Sequence, residues 1–287
     1  MSDFFDLQLI VNGIAIGSIL ALAAIGLTLT YGILKLSNFA HGDFMTLGAY
    51  LTWLTNKTGL NIWLSMLAGA VGTIIAMLIS EYLLWKPMRD RCASDTTLII
   101  ISIGLSLFVR NGILLLYGGS NQRYQLPVVR ALEFGDLRIA YYRLVVVGLA
   151  IAAIVALHLI LKNTKIGKAM RAVADNIELA RVSGINVERV VLWTWIITGI
   201  LTAFAGTMYG LIAVVRPNMG WFLILPMFAS VILGGIGNVY GAIAGAYIIG
   251  IAQELSVPLL GSEYKLAVAL AIMIVILLVR PQGLFKG

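Results

Sequence analysis

The chain has 287 residues, 60% of them hydrophobic and 11% charged, with a formal net charge of +7. A mean hydropathy of +0.98 excludes an ordinary soluble domain. The single cysteine, Cys92, excludes an internal disulfide and a cysteine-rich metal site.

Such a composition predicts an all-α integral membrane protein, because a bilayer core needs about 20 apolar residues per spanning helix. Asp3 and Asp6 stand before the first apolar run with no Lys or Arg, so Leu7–Leu34 is expected to be a retained span, not a cleaved signal. Phe39–Thr55 is shorter, and its beginning is interrupted by Asn38, His41, Gly42 and Asp43. Ile62–Trp85 and Thr96–Tyr117 read as full spans, Gly118–Ala140 as the longest polar excursion, and Tyr141–Leu161 as another span. Val190–Val215 follows; then comes Trp221–Gly237, short and containing Pro226, which runs into the glycine-rich stretch Gly234–Gly241. Ala242–Leu260 and Tyr264–Val279 complete the series. The expectation is one polytopic helical bundle over 1–287, with eight or nine spans; the alternating segments of about ten residues that spanning strands would give are not seen.

Two of these segments are short and broken at comparable places, within 7–85 and 190–260. Broken backbone at membrane depth survives only where protein or a watery cavity satisfies it. Paired broken segments also point to a path built from an internal repeat, although ordinary loops between helices would look alike. Asn12, Asn38, His41 and Asp43 are the candidate polar residues of a path or gate; capping and packing of the helix break is the alternative for each. Gly13, Gly17 and Ala21 at spacing of four predict close helix packing, as do Gly237, Gly241 and Gly245 beside Ala242, Ala246 and Gly250.

Basic residues cluster at Lys86–Arg91, at Lys162–Arg189 and at Arg280–Lys286. The positive-inside rule puts these clusters in the cytoplasm and the loop 118–140 outside, with the turn near 216–220. The side of the amino terminus depends on whether Phe39–Thr55 crosses. Scattered in this way, the charge serves topology and lipid contact and does not point to nucleic acid. Residues 166–189 read as one amphipathic helix, with Ala169, Met170, Val173, Ala174, Ile177 and Ala180 on one face and Gly184 as a stop. Periodicity alone favours a solvated connector; a handle for a soluble partner is the alternative.

Catalytic signatures fail. Gly167-Lys168 lacks a phosphate-cradling loop, and Ala169 stands where Ser or Thr would bind magnesium. With two histidines, His41 and His158, no His-based metal cluster is expected, and the chain is not expected to be an enzyme. Glu81 and His158 fall near the cytoplasmic boundary and Glu254 near the outer one. Arg110 is expected to snorkel outward, which leaves Asp43 as the sole deep carboxylate. That is thin support for ion coupling, so energy is expected to come from another chain.

The runs Gly26-Leu-Thr-Leu-Thr-Tyr-Gly32 and Asn38-Phe-Ala-His-Gly-Asp-Phe44 resemble the permease subunits of branched-chain amino acid ABC importers. So do Gly167-Lys-Ala-Met-Arg-Ala172, Leu233-Gly-Gly-Ile-Gly-Asn238 and Arg280-Pro-Gln-Gly-Leu-Phe285. The resemblance implies ATP-driven alternating access for branched-chain or neutral amino acids. It also implies a second related permease, two cytoplasmic ATPases that use ATP and Mg, a periplasmic binding protein, and no cofactor on this chain. Its coupling loop would span about 162–189, with Gly167, Arg171, Ala174, Glu178, Ala180 and Gly184 as candidate docking residues. Glu178, Ala180 and Gly184 fit an E-A-A-x-x-x-G pattern, with Leu179 replacing the middle alanine. A urea permease of the same architecture and an ATP-independent carrier or channel remain the competing readings.

Overall fold

The computed structural model describes residues 2–127, 129–134 and 137–285. In it the chain is a helical bundle whose described residues include 7 helices long and apolar enough to cross a membrane. Helix α1 (Ser2–Leu34) runs through the centre, buried almost continuously from Ile19 to Leu27, and packs on α11, α9, α6 and α10, defined below. It starts before the expected Leu7, because Ser2–Asp6 continue the helix.

Helix α2 (His41–Lys57) follows a non-helical stretch that ends in a turn and leads to α3 (Ile62–Ser80), which is capped by Asn61 accepting from Trp63 N. The α3 helix widens into a π turn at Glu81–Trp85 and continues as α4 (Lys86–Asp90). Pro87 lacks an N–H and crowds the preceding turn, so a looser turn just before it is physically reasonable. Helix α5 (Asp95–Tyr117) is capped by Ser94. The polar excursion contains strands β1 (Leu132–Phe134) and β2 (Leu137–Ile139), paired antiparallel. The hairpin sits outside the bundle, where water can satisfy its edges.

Helices α6 (Tyr141–Asn163), α7 (Lys165–Asp175), α8 (Ile177–Val182) and α9 (Val187–Ile212) come next. Helices α10 (Met219–Gly234) and α11 (Val239–Leu255) follow; α12 (Val257–Leu260) and a 3-10 turn then lead to α13 (Lys265–Val279). The expected single helix over 166–189 is therefore two short helices and the start of a third. Asn176 breaks the run because its side chain caps α8 by accepting from Leu179 N at 2.9 Å.

Small residues set the packing at Gly13, Gly17, Gly241, Gly245 and Gly250, whereas Gly237 lies exposed in the turn before α11, at φ +92, with open space around it. An added Cβ on Gly13 would lie 2.6 Å from the Ile251 backbone, and one on Gly250 would meet Gly17 at 2.5 Å, so α1 and α11 touch backbone to backbone. Helices α5, α6 and α13 lie at the edge and expose apolar side chains such as Phe108, Leu115, Ile151 and Leu278 to lipid.

The two broken segments place the site. The start of α1 and the end of α2 lie on the same side as the hairpin loop: Arg138 N donates to Gln8 Oε1 at 3.3 Å, and Gln125 N donates to Asn56 Oδ1 at 2.7 Å. Residues 35–40 therefore turn back from the far end of α1, and α2 begins beside its middle, with His41 against Ala23 and Gly26. On the hairpin side Val215 pairs with Gln122, so 213–218 descends from there before α10 begins. Helix α10 ends on the opposite side, where Leu284 N of the carboxyl-terminal tail donates to Leu233 O at 2.8 Å.

Candidate functional site

Two half-length helices meet head to head. Gly220 N donates to Thr46 Oγ1 at 3.0 Å, and Thr46 Oγ1 donates to Gly42 O at 3.2 Å. A Cβ on Gly220 would stand 1.8 Å from Gly42 O, and one on Gly42 would stand 2.4 Å from Gly220 O, so only glycine fits on either side. The first turns of α2 and α10 thus abut inside the bundle while the helices depart toward opposite faces. Their positive dipole ends converge on this joint.

Polar side chains surround the joint. His41 is fully buried; its Nε2 lies 2.9 Å from Ala23 O and 3.3 Å from Thr202 Oγ1. Gly26 makes room for the ring, since a Cβ there would lie 2.9 Å from His41 Cε1. Asn38, also buried, accepts from Ala40 N at 3.1 Å and shapes the turn into α2. Asn38 Nδ2 and His41 Nδ1 are buried without a hydrogen-bond partner among the described residues. Asp43 is paired with Arg110: Arg110 Nε donates to Asp43 Oδ1 at 3.1 Å, and Arg110 Nη2 donates to Oδ2 at 2.9 Å. Ser106 donates to the same Oδ2. Arg110 therefore does not snorkel. A carboxylate within reach on α2 outcompetes the distant interface, because a bidentate charged pair satisfies the guanidinium inside the bundle.

Asn12 stands apart from this group, near the hairpin end of α1, where it accepts from Gln8 Nε2 at 3.3 Å. Sequence reasoning missed Arg110, Ser106 and Trp221 as companions of Asp43; the one available signal was a serine four residues before the arginine, on the same helical face. Above the joint, Tyr124 from the polar excursion is buried against Gly210 and donates to Ala49 O at 3.2 Å. Burial pushes its pKa above the usual tyrosine range, so the phenol remains a donor.

The second candidate region lies on the tail side, between α6 and α9. Thr164 caps α7 by accepting from Gly167 N at 3.0 Å. Gly167 and Ala180 are buried within the chain, and a Cβ on Gly167 would meet Ile160 O at 2.4 Å. These two residues pack the loop onto the bundle and offer no surface to a partner. Arg171, Glu178 and Gly184 are exposed and Ala174 is half-buried. Leu179 and Val182 project from α8 at 62% and 81% exposure, well beyond what a self-contained helix needs. Gly184 takes φ +83 and ends α8, with Ile185 N returning to Ala180 O at 3.0 Å. Nearby, Glu81 pairs with Arg89 and accepts from Trp195 Nε1 at 2.8 Å, which ties the bend below α3 to α9. No group of His, Cys, Asp and Glu among the described residues could hold a metal ion.

A family model described as the branched-chain amino acid transport system permease component matches residues 9–277. The chain is 33% identical over 299 residues to the high-affinity branched-chain amino acid transport system permease protein LivH of Salmonella typhimurium, covering 98% of this chain and 95% of that one. It is 30% identical over 293 residues to the permease protein BraD of Pseudomonas aeruginosa, covering 97% and 95%. Among solved structures, PsaBC from Streptococcus pneumoniae in complex with Fab shares the fold, with a TM-score of 0.55 at 14% identity over 97% of this chain and 92% of that one. The chain belongs to the permease components of branched-chain amino acid transport systems, and is a multi-pass inner-membrane subunit of an ABC importer whose ATP hydrolysis resides in separate subunits.

Proposed function

We propose that this chain passes branched-chain and other neutral amino acids across the inner membrane by ATP-driven alternating access. The observation that carries the reading is the head-to-head joint of α2 and α10 at Gly42 and Gly220. Discontinuous helices meeting at mid-depth are how transporters present backbone and side-chain polarity to a substrate while keeping the rest of the bundle sealed. The full chain acts as one permease domain. Each non-helical lead and its half-helix together make one crossing, which gives nine crossings with the amino terminus outside. The opposed directions of α2 and α10 support an inverted internal repeat that pairs α1–α3 with α9–α11. Asn38, His41 and Asp43 stand at the joint as path or gate residues, and Asn12 stands toward the outer mouth.

The loop over about 162–189 receives the force. Leu179 and Val182 supply apolar contact for a cytoplasmic ATPase, and Arg171, Ala174, Glu178 and Gly184 frame them. A second related permease, two ATPases working with ATP and Mg, and a periplasmic binding protein complete the importer; selection among side chains falls largely to the binding protein. The test is uptake by the reconstituted complex with its binding protein. ATP-dependent accumulation of labelled leucine, competed by isoleucine and valine and untouched by urea, is the expected result. Urea uptake insensitive to excess leucine would overturn the substrate assignment.

A further inference from the structure

Arg110 is held far more firmly than a helix-to-helix ion pair requires, and it is not sealed in. Two of its nitrogens are bound to Asp43, and Nη2 donates as well to Ser106 Oγ at 3.1 Å. The ring of Trp221, on the first turn of α10, lies 4.5 Å from the guanidinium carbon. Arg110 therefore touches α2, its own helix α5, and α10, at the level where the two half-helices meet. Its side chain keeps 17% of its surface exposed, against 1% for Asp43. Among the described residues no hydrogen bond is made to Nη1. The edge beside it is apolar: Trp221, whose ring packs on the guanidinium, and Leu107, three residues earlier on the same side of α5, are both exposed. A guanidinium with an unused donor, opening at membrane depth, is out of place against lipid and well suited to a watery path. With Nε and Nη2 taken by Asp43 and Ser106, Nη1 keeps its two N–H groups in a fixed plane for a carboxylate.

We propose that Arg110, seated by Asp43 and Ser106 and backed by Trp221, receives the α-carboxylate of the passing amino acid while the neighbouring apolar edge accepts its side chain. This rests on the amino-acid reading above and names the residue that carries out recognition within the path. Asp43 acts as a positioning residue: it fixes the guanidinium plane and offsets part of its charge, so that Arg110 holds the carboxylate without trapping it. Two properties follow from the geometry. The contact reads the carboxylate common to all amino acids, so it does not distinguish leucine from valine. It also discriminates against neutral solutes that lack a carboxylate.

The experiment uses the complete reconstituted complex with its binding protein, and leucine as the probe. Asp43→Asn with Arg110→Gln replaces the ion pair by a neutral hydrogen-bonded pair of similar size, so a merely structural role survives it. Arg110→Lys keeps the charge and loses the planar fork. We expect both variants to assemble in wild-type yield. Leucine uptake at saturating binding protein should fall at least about tenfold in the double variant and less in Arg110→Lys, with the loss shared equally by leucine, isoleucine and valine. Wild-type uptake by either assembled variant would overturn the proposal, and so would failure of both to assemble, which would assign the pair to folding. Wild-type complex that carries no leucine would instead overturn the amino-acid reading, so the two failures are distinguishable.

Discussion

The joint between α2 and α10 and the loop of α7 and α8 are opposite kinds of surface. At the joint, backbone meets backbone, Gly42 and Gly220 leave no room for a single methyl group, and Thr46, His41 and Asp43 are engaged by neighbours on other helices. On the loop, the helices are short, the interior contacts run through Gly167, Met170, Val173 and Ala180, and the outward side leaves Leu179 and Val182 uncovered. One region packs backbone on backbone inside the chain; the other holds apolar surface out. A closely packed element moves between discrete arrangements and does not deform smoothly, whereas an uncovered apolar helix gains only by finding a partner. Under the proposed function, transmission falls to the first and reception to the second.

The comparison makes ordered expectations. The largest effect belongs to Gly220→Val. Its new Cβ would collide with Gly42 O, and the loss should reach or exceed the roughly 1–3 kcal/mol typical of overpacking, read as a lower Tm and poor recovery of monodisperse protein in detergent. Full recovery would mean the two half-helices are not in backbone contact. Next is Gly184→Trp, which forces a bulky residue into φ +83. Membrane insertion should be retained while ATPase co-purified with the complex falls by about tenfold, a change of about 1.4 kcal/mol. A smaller fall in ATPase recovery is expected for Leu179→Ala with Val182→Ala, with stability unchanged within about 0.5 kcal/mol because both side chains are exposed. A drop in Tm for that pair would show that the loop's outer side is part of the fold. The smallest effect is Tyr124→Phe, which removes one buried hydrogen bond to Ala49 O and should cost about 1 kcal/mol in thermal unfolding.

Much of the bundle was legible because hydrophobic length is a one-dimensional property. The long spans follow directly from it, and so does close packing at Gly13, Gly17, Gly245 and Gly250. The break in the pattern at Asn38–Asp43 marked the start of α2, since polar and glycine residues inside apolar sequence need a special backbone; Pro226 marked no break, because α10 runs through it and the non-helical stretch lies earlier, at 213–218. What could not be read was pairing across the chain. Arg110 taken alone looks like a snorkelling side chain; its partner Asp43 lies on another helix, and periodicity carries no information about that contact. The loop over 166–189 was mistaken for one helix because its apolar spacing persists through Asn176, and the capping preference of that asparagine was outweighed by the periodic run. Asn12 shares no segment with the other three polar residues, and helix α1 is long enough to set it near the hairpin end, away from the joint.

The account stands on the claim that this bundle moves substrate only when driven through its inner-face loop. The decisive measurement is solute accumulation in sealed proteoliposomes with and without the ATPase subunits. Leucine should accumulate against its gradient only when the complete complex is supplied with ATP, and it should not accumulate with this chain alone under an imposed proton or sodium gradient. Accumulation by the isolated chain under either ion gradient would contradict the account.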